Sequence, residues 1–202
     1  PMLTSALARA HAIAIDSALL VGAGAGNISK GLVGVNGTDN ASGYGAASAL
    51  TALDASGSGL VTPANLLAMR KEMGKYGLNP SDVTFVVSQK MYYDLLSDSA
   101  FQSLDEVGTE LAIKVTGTVG AVFGSPVIVS EEFAAEGAGV PVAFAVYARN
   151  YVAPRLRGVT VEQDYEVLNQ RRVIVASQSL GFNEIVAGAG SDQPCVKIDS
   201  VA

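Results

Sequence analysis

The run Gly22-Ala23-Gly24-Ala25-Gly26 has the residue type and spacing of a phosphate-cradling glycine loop. Such a loop binds a dinucleotide when it follows a strand and opens a helix, so that the helix N-terminus meets the pyrophosphate. Here the glycines follow a helical pattern and open a loop, so they read as a flexible turn. No GxxxxGK[ST] sequence exists, which excludes a standard P-loop. The single histidine, His11, lies inside a helical stretch. A general base needs a nucleophile and an orienting acid. No pattern in the chain supplies either, and His11 reads as a helix-surface or interface residue. Asp105-Glu106 and Glu131-Glu132 are adjacent carboxylates. Neighbours on an extended chain point to opposite faces, so these read as solvated loop charge rather than an acid–base pair. Cys195, the one cysteine, has only Lys197 nearby to lower its pKa and reads as an ordinary thiol. One cysteine makes no intrachain disulfide, and one histidine with one cysteine makes no His/Cys zinc site. Tyr92-Tyr93 offers rings that could stack on a base. Tyr92 falls at helical spacing with Leu95 and Leu96, which marks it as core. No catalytic, cofactor-binding or metal-binding residue emerges, and the chain is expected to be neither an enzyme nor a cofactor carrier.

The elements around these residues are those of a protein with a substantial core. The 202 residues are 49% hydrophobic and only 16% charged, with 22 glycines. That suits one large domain or two small ones and excludes a disordered chain. A net charge of −6 with scattered Lys and Arg argues against gripping nucleic acid through a basic face. The uncharged run 115–130 is broken by Gly117, Gly120, Gly124 and Pro126, so no membrane span is expected. Arg9, His11 and Asp16 interrupt the N-terminal apolar stretch, which is no secretory signal.

Composition shifts along the chain. Fifteen of 18 Leu lie at or before Leu111, and 17 of 25 Val lie at or after Val115, which predicts a mixed first half and a strand-rich second half. Leu3, Leu7, Ala10, Ala14 and Ala18 recur at helical spacing, predicting a helix over 3–21 that Gly22 ends. Residues 22–61 are glycine-rich loop, with a short element possible at 46–53. Thr62-Pro63 opens a helix to residue 76, with Thr62 as N-cap and Gly77 as the terminator. Asn79-Pro80 makes a turn, 82–88 a strand, and Ser88 caps a helix over 89–97. Strands follow at 119–123, 127–129, 140–147, 159–167 and 171–179. The tail after Gly188 is expected to fray.

The order of these elements carries a resemblance. Leu78-Asn79-Pro80, the strand Val83-Thr84-Phe85-Val86-Val87 and the helix Met91-Tyr92-Tyr93-Asp94-Leu95-Leu96 resemble the axial domain of tailed-bacteriophage major capsid proteins of the Hong Kong 97 type. Val122-Phe123-Gly124-Ser125-Pro126-Val127-Ile128-Val129-Ser130 is similar to that family's strand returning from the axial domain. Residues 146–157 and 161–185 resemble its last peripheral strands, and Ala18-Leu19-Leu20-Val21-Gly22 the end of its spine helix.

The resemblance implies an α+β fold with axial and peripheral lobes joined by the end of a spine helix. Its divisions are 1–45 for the helix end and glycine loop, 46–125 for the axial domain, 126–188 for the return strand and peripheral domain, and 189–202 for a flexible tail. It implies a structural subunit of an icosahedral, DNA-filled head, assembled in the host bacterial cytoplasm. The partners it implies are copies of itself in hexamers and pentamers, with decoration, portal or scaffold proteins, and neither sequence-specific nucleic acid nor membrane. The family's N-terminal arm, extended hairpin and early spine helix have no counterpart here. The chain therefore reads as the C-terminal portion of such a subunit, expected alone to be a monomer or weak small oligomer. In some relatives a peripheral Asn forms an isopeptide bond to a neighbour's Lys; Asn169 falls near that place, and reads first as a turn residue. The alternatives are a bacterial nanocompartment shell and, from another class, a small α/β enzyme with its site in the glycine-rich loops.

Overall fold

The computed structural model describes residues 2–22, 31–32, 62–97, 120–133, 141–186, 188 and 192–199. Helix α1 spans Met2–Val21. After it, Gly22 donates to the Ala18 carbonyl at 3.2 Å and accepts the Gly31 N–H at 2.8 Å. A Cβ on Gly31 would lie 2.4 Å from the Ala18 carbonyl oxygen, so only glycine lets the chain pass this close. The short element expected at 46–53 lies outside the described residues.

Helix α2 covers Pro63–Glu72, with Pro63 at its first position. It stops four residues before the predicted end. Met73 is the C-cap and Gly74 takes φ +57°, the left-handed conformation in which an L side chain is strained. Gly77, expected as the terminator, has a different duty. It closes a 3₁₀ turn over Gly74–Gly77 and sits against the Arg70 carbonyl. Thr62 is extended as an N-cap should be, yet its hydroxyl donates to Asn65 Oδ1 at 2.9 Å instead of accepting a helix N–H.

A second 3₁₀ turn at Pro80–Asp82 leads into strand β1, Val83–Ser88, and helix α3, Gln89–Ser97. The Ser88 hydroxyl accepts the Met91 N–H at 3.3 Å, as its position predicts. Strands β2 (Ala121–Val122) and β3 (Ser125–Ser130) flank a two-residue turn in which Phe123 and Gly124 take φ +50° and +79°. That left-handed pair shortens the strand expected over 119–123. Strand β4 is Pro141–Tyr147, and β9 is Cys195–Asp199.

These strands form one five-stranded sheet in the order β2-β3-β1-β4-β9. Only β1 and β3 run parallel; the other neighbours are antiparallel. Phe85 lies opposite Val127 and Ala145, Val87 opposite Val129 and Ala143, and Val196 opposite Ala145. Directly opposed residues share a face, so one face carries Phe85, Val87, Ala143, Ala145 and Val196. At its end Tyr147 meets Tyr76, just past α2, with ring centroids 5.3 Å apart. Phe144 points to the other face and stacks on Phe133 at 5.5 Å. Leu66 and Met69 of α2, its C-cap Met73, and Met91 and Leu95 of α3 are buried in the same core.

Two sequence expectations are corrected here. The tail does not simply fray: within 189–202, residues 195–199 pair with β4, and Cys195, Val196 and Ile198 are buried. The small and polar residues ahead of β9 disguised a strand whose partner lies some fifty residues away in sequence. The boundary at 125/126 likewise cuts the sheet, because β3, β4 and β9 join β1 from beyond it. Pairing between distant segments leaves no local mark.

Arg70 ties the loops at the start of β1 and β3 together. Its Nε donates to the Gly77 carbonyl at 2.6 Å, and its two terminal nitrogens donate to the Leu78 and Phe123 carbonyls, each at 3.2 Å. The Ser125 hydroxyl adds a bond to the Pro80 carbonyl at 2.8 Å. One guanidinium thereby satisfies three backbone acceptors that no sheet or helix reaches.

Beyond β4 the chain leaves the sheet. Strands β5 (Tyr151–Val152) and β8 (Asn183–Glu184) pair, and buried Asn150 exchanges hydrogen bonds with the Val186 backbone at 2.8 and 3.2 Å. Tyr151 stacks on Phe182, centroids 5.4 Å apart. Between them rises a long two-stranded ribbon, β6 (Arg155–Glu166) with β7 (Arg171–Leu180).

Candidate functional site

The residues singled out by type are dispersed. Of the glycine run, Gly22 closes α1 and residues 23–26 lie outside the described residues, as do Asp105 and Glu106. His11 is half-buried on α1, where it lines a groove toward the ribbon. Glu131 is exposed past β3, and Glu132 donates its N–H to the Ser130 hydroxyl at 3.2 Å. Tyr92 packs against the core while Tyr93 is exposed, as helical spacing requires. Among the described residues no three His, Cys, Asp or Glu side chains gather to hold a metal ion.

Cys195 is fully buried in β9. Burial pushes its thiol up to about 12, against a Tyr151 hydrogen bond that pulls the other way. A thiol so placed stays protonated and unreactive. Asp192, just ahead of β9, accepts the Lys75 N–H at 3.1 Å and lies 3.5 Å from the Lys75 ammonium. The backbone hydrogen bond, reinforced by the Lys75 charge, holds its carboxyl below the usual range. Both groups anchor β9 rather than face a substrate.

What the fold displays instead is surface. The β6–β7 ribbon is exposed along most of β6, with Leu156, Val159, Val161, Tyr165 and Val175 open to solvent. Its alternation places Val159, Val161, Gln163 and Tyr165 on one face and Thr160, Glu162, Asp164 and Glu166 on the other. The first face turns toward Leu7, His11 and Ile15 of α1 across an open groove of about 470 Å³. The second is stitched by Arg157, whose guanidinium donates to the Thr160 and Ser177 hydroxyls at 2.5 and 2.6 Å. At the tip, Glu166 accepts from Asn169 at 2.6 Å and pairs with Arg171, while Val167 is largely and Leu168 almost fully exposed. Asn169 is thus a turn residue engaged with its own strand. A two-stranded ribbon alone is marginal in water, so an apolar face this open marks a surface for another molecule. Its strand alternation was legible in the sequence; its exposure on both faces was not.

Comparison with known proteins fits a fold built for contact. The chain is 36% identical over 187 residues, 93% of its length, to the major capsid protein of Escherichia phage T5. It is a relative of the phage major capsid proteins. It spans 39% of the T5 protein's length. Among solved structures, the capsid of an empty GTA particle matches all of this chain and 66% of its own, with TM-score 0.63 and 16% identity. The capsid of cyanophage P-SCSP1u matches 73% of this chain and 49% of its own, with TM-score 0.51 and 17% identity. Those likenesses give the fold, which is the α+β capsid fold of the Hong Kong 97 type. No family model matches the chain.

Proposed function

We propose that this chain is the shell-forming part of a phage head subunit, acting by contact between many copies rather than by catalysis. The observation that carries the reading is the long β6–β7 ribbon, apolar on a face left open, within a chain related to a phage major capsid protein. The five-stranded sheet with α2 and α3 is the axial lobe in this reading, and α1 with the ribbon is the peripheral lobe. Copies would meet around five- and six-fold axes in contacts that are weak singly and strong by repetition. An acidic chain suits a DNA container, since it repels the cargo from the wall. Decoration, portal and scaffold proteins, and assembly in the bacterial cytoplasm, belong to the same reading.

Sedimentation velocity from micromolar to millimolar concentration, with electron microscopy of the fastest fraction, tests it. At micromolar concentration the chain alone is expected as a monomer or weak small oligomer, associating reversibly into small rings only toward millimolar. No association even at millimolar concentration overturns it. Nuclease-protected DNA in particles containing the chain would distinguish a phage head from a nanocompartment.

A further inference from the structure

At the start of β1 and β3 the molecule carries a compact apolar surface with a positive rim. Leu78 is 83% exposed, Phe123 49% and Leu67 47%. Between α2 and the turn after it runs an open groove of about 580 Å³, lined by Ala64, Leu67, Ala68, Lys71 and Leu78. The three Arg70 hydrogen bonds hold the Leu78 loop and the Phe123 turn side by side, so the surface is rigid before anything binds.

Phe123 sits badly for stability. At φ +50° it occupies the left-handed region, where Asn or Gly fits and a bulky residue is strained. The residue is about half exposed, so burial offsets little of the strain. Strain retained at an exposed aromatic points to use of the ring itself. The rim adds charge. Arg70 spends its hydrogen bonds on carbonyls and Lys71 is exposed, and among the described residues neither pairs with a carboxylate. This is a local excess of positive charge on a chain of net charge −6.

We infer that the Leu67–Leu78–Phe123 surface, with Lys71 on its rim, is a docking site for an acidic flank of a second copy of this chain. The occupant follows from charge complementarity: another copy brings exposed carboxylates such as Glu131, Glu162 and Asp164 to a positive rim. Patch and carboxylates are different surfaces, so the contact is heterologous, the kind that closes into rings. Three side chains cover far less than the roughly 1,000 Å² of a stable pair, so the contact is weak alone and gains by repetition. The inference rests on the assembly reading above and names one of its interfaces.

The test uses the whole chain with a photoreactive phenylalanine analogue in place of Leu78, beside the variants Leu78→Asp, Lys71→Glu and Phe123→Asn. Irradiated samples should yield covalent dimers whose cross-links map to an acidic segment of the other copy. Leu78→Asp and Lys71→Glu should weaken association, the former by about tenfold or more, without lowering the melting temperature. Phe123→Asn should associate more weakly while melting no lower than the parent, because Asn accepts the turn. If copies associate but position 78 forms no cross-link, or the variants associate like the parent, the inference is wrong and the assembly reading stands. Loss of stability and association together in Phe123→Asn would also overturn the inference, since the ring then serves only the fold. If the parent chain does not associate even at millimolar concentration, both fall.

Discussion

Gly77→Ala should be among the most damaging single-methyl changes in this chain. A Cβ at position 77 would lie 2.1 Å from the Arg70 carbonyl oxygen, 3.1 Å from its carbon and 3.2 Å from Arg70 Cγ. The nearest atom is helix backbone and cannot swing away as a side-chain end would. Relieving the clash needs a shift on the order of 1 Å, and core overpacking of this kind costs about 1–3 kcal/mol. The same shift pulls the Gly77 carbonyl from Arg70 Nε, now 2.6 Å away, and a hydrogen bond to a charged group contributes about 1.5–3 kcal/mol. Together the loss is about 2.5–6 kcal/mol, which for a chain of this size lowers the melting temperature by roughly 5–24 °C. Gly158→Ala is the internal control, because a Cβ there meets nothing within 4 Å. It should leave stability within about 1 kcal/mol of the parent or raise it slightly. Differential scanning calorimetry of the three proteins decides. If Gly77→Ala melts within about 2 °C of the parent, the close approach of this turn to α2 is not real and the Arg70 clamp falls with it.

Native Cys195 should react with a thiol reagent no faster than the chain unfolds, followed by absorbance at neutral pH. Its folded thiol ionises near 12 against an ordinary 9.0, so the unfolded chain alone loses the proton between those values. Stability should therefore be unaffected by this group below pH 9 and fall above it by about 1.4 kcal/mol per pH unit, a slope that urea melts of Cys195→Ala should lack. Ser88→Ala removes the acceptor for the Met91 N–H and should cost about 1 kcal/mol in denaturant unfolding. Asp192 should titrate below 3.8 by carboxyl NMR, its stabilising effect complete above the ordinary carboxylate range and lost as pH falls through the lowered pKa. A midpoint at or above 3.8 would remove the Lys75 contact as an anchor of β9.

Local chemistry in the sequence was enough to locate most elements. Pro63 at a helix start, Ser88 before Met91 and the alternation of Val159, Val161, Gln163 and Tyr165 act within a few residues, so they are legible without a fold. Positions of the glycines as glycines were visible, but not their duties: Gly74 rather than Gly77 turns the chain at the end of α2, and Gly77 is needed only because Arg70 comes close in space. Membership of the sheet was decided by tertiary structure. Strand β9 is short, follows a small-residue stretch, and exists because β4 offers it a partner and the core buries Val196 and Ile198. The surface for assembly is of the same kind. Leu78 and Phe123 are far apart in sequence, and Arg70 joins them by bonding carbonyls, which every residue possesses and no sequence pattern reveals.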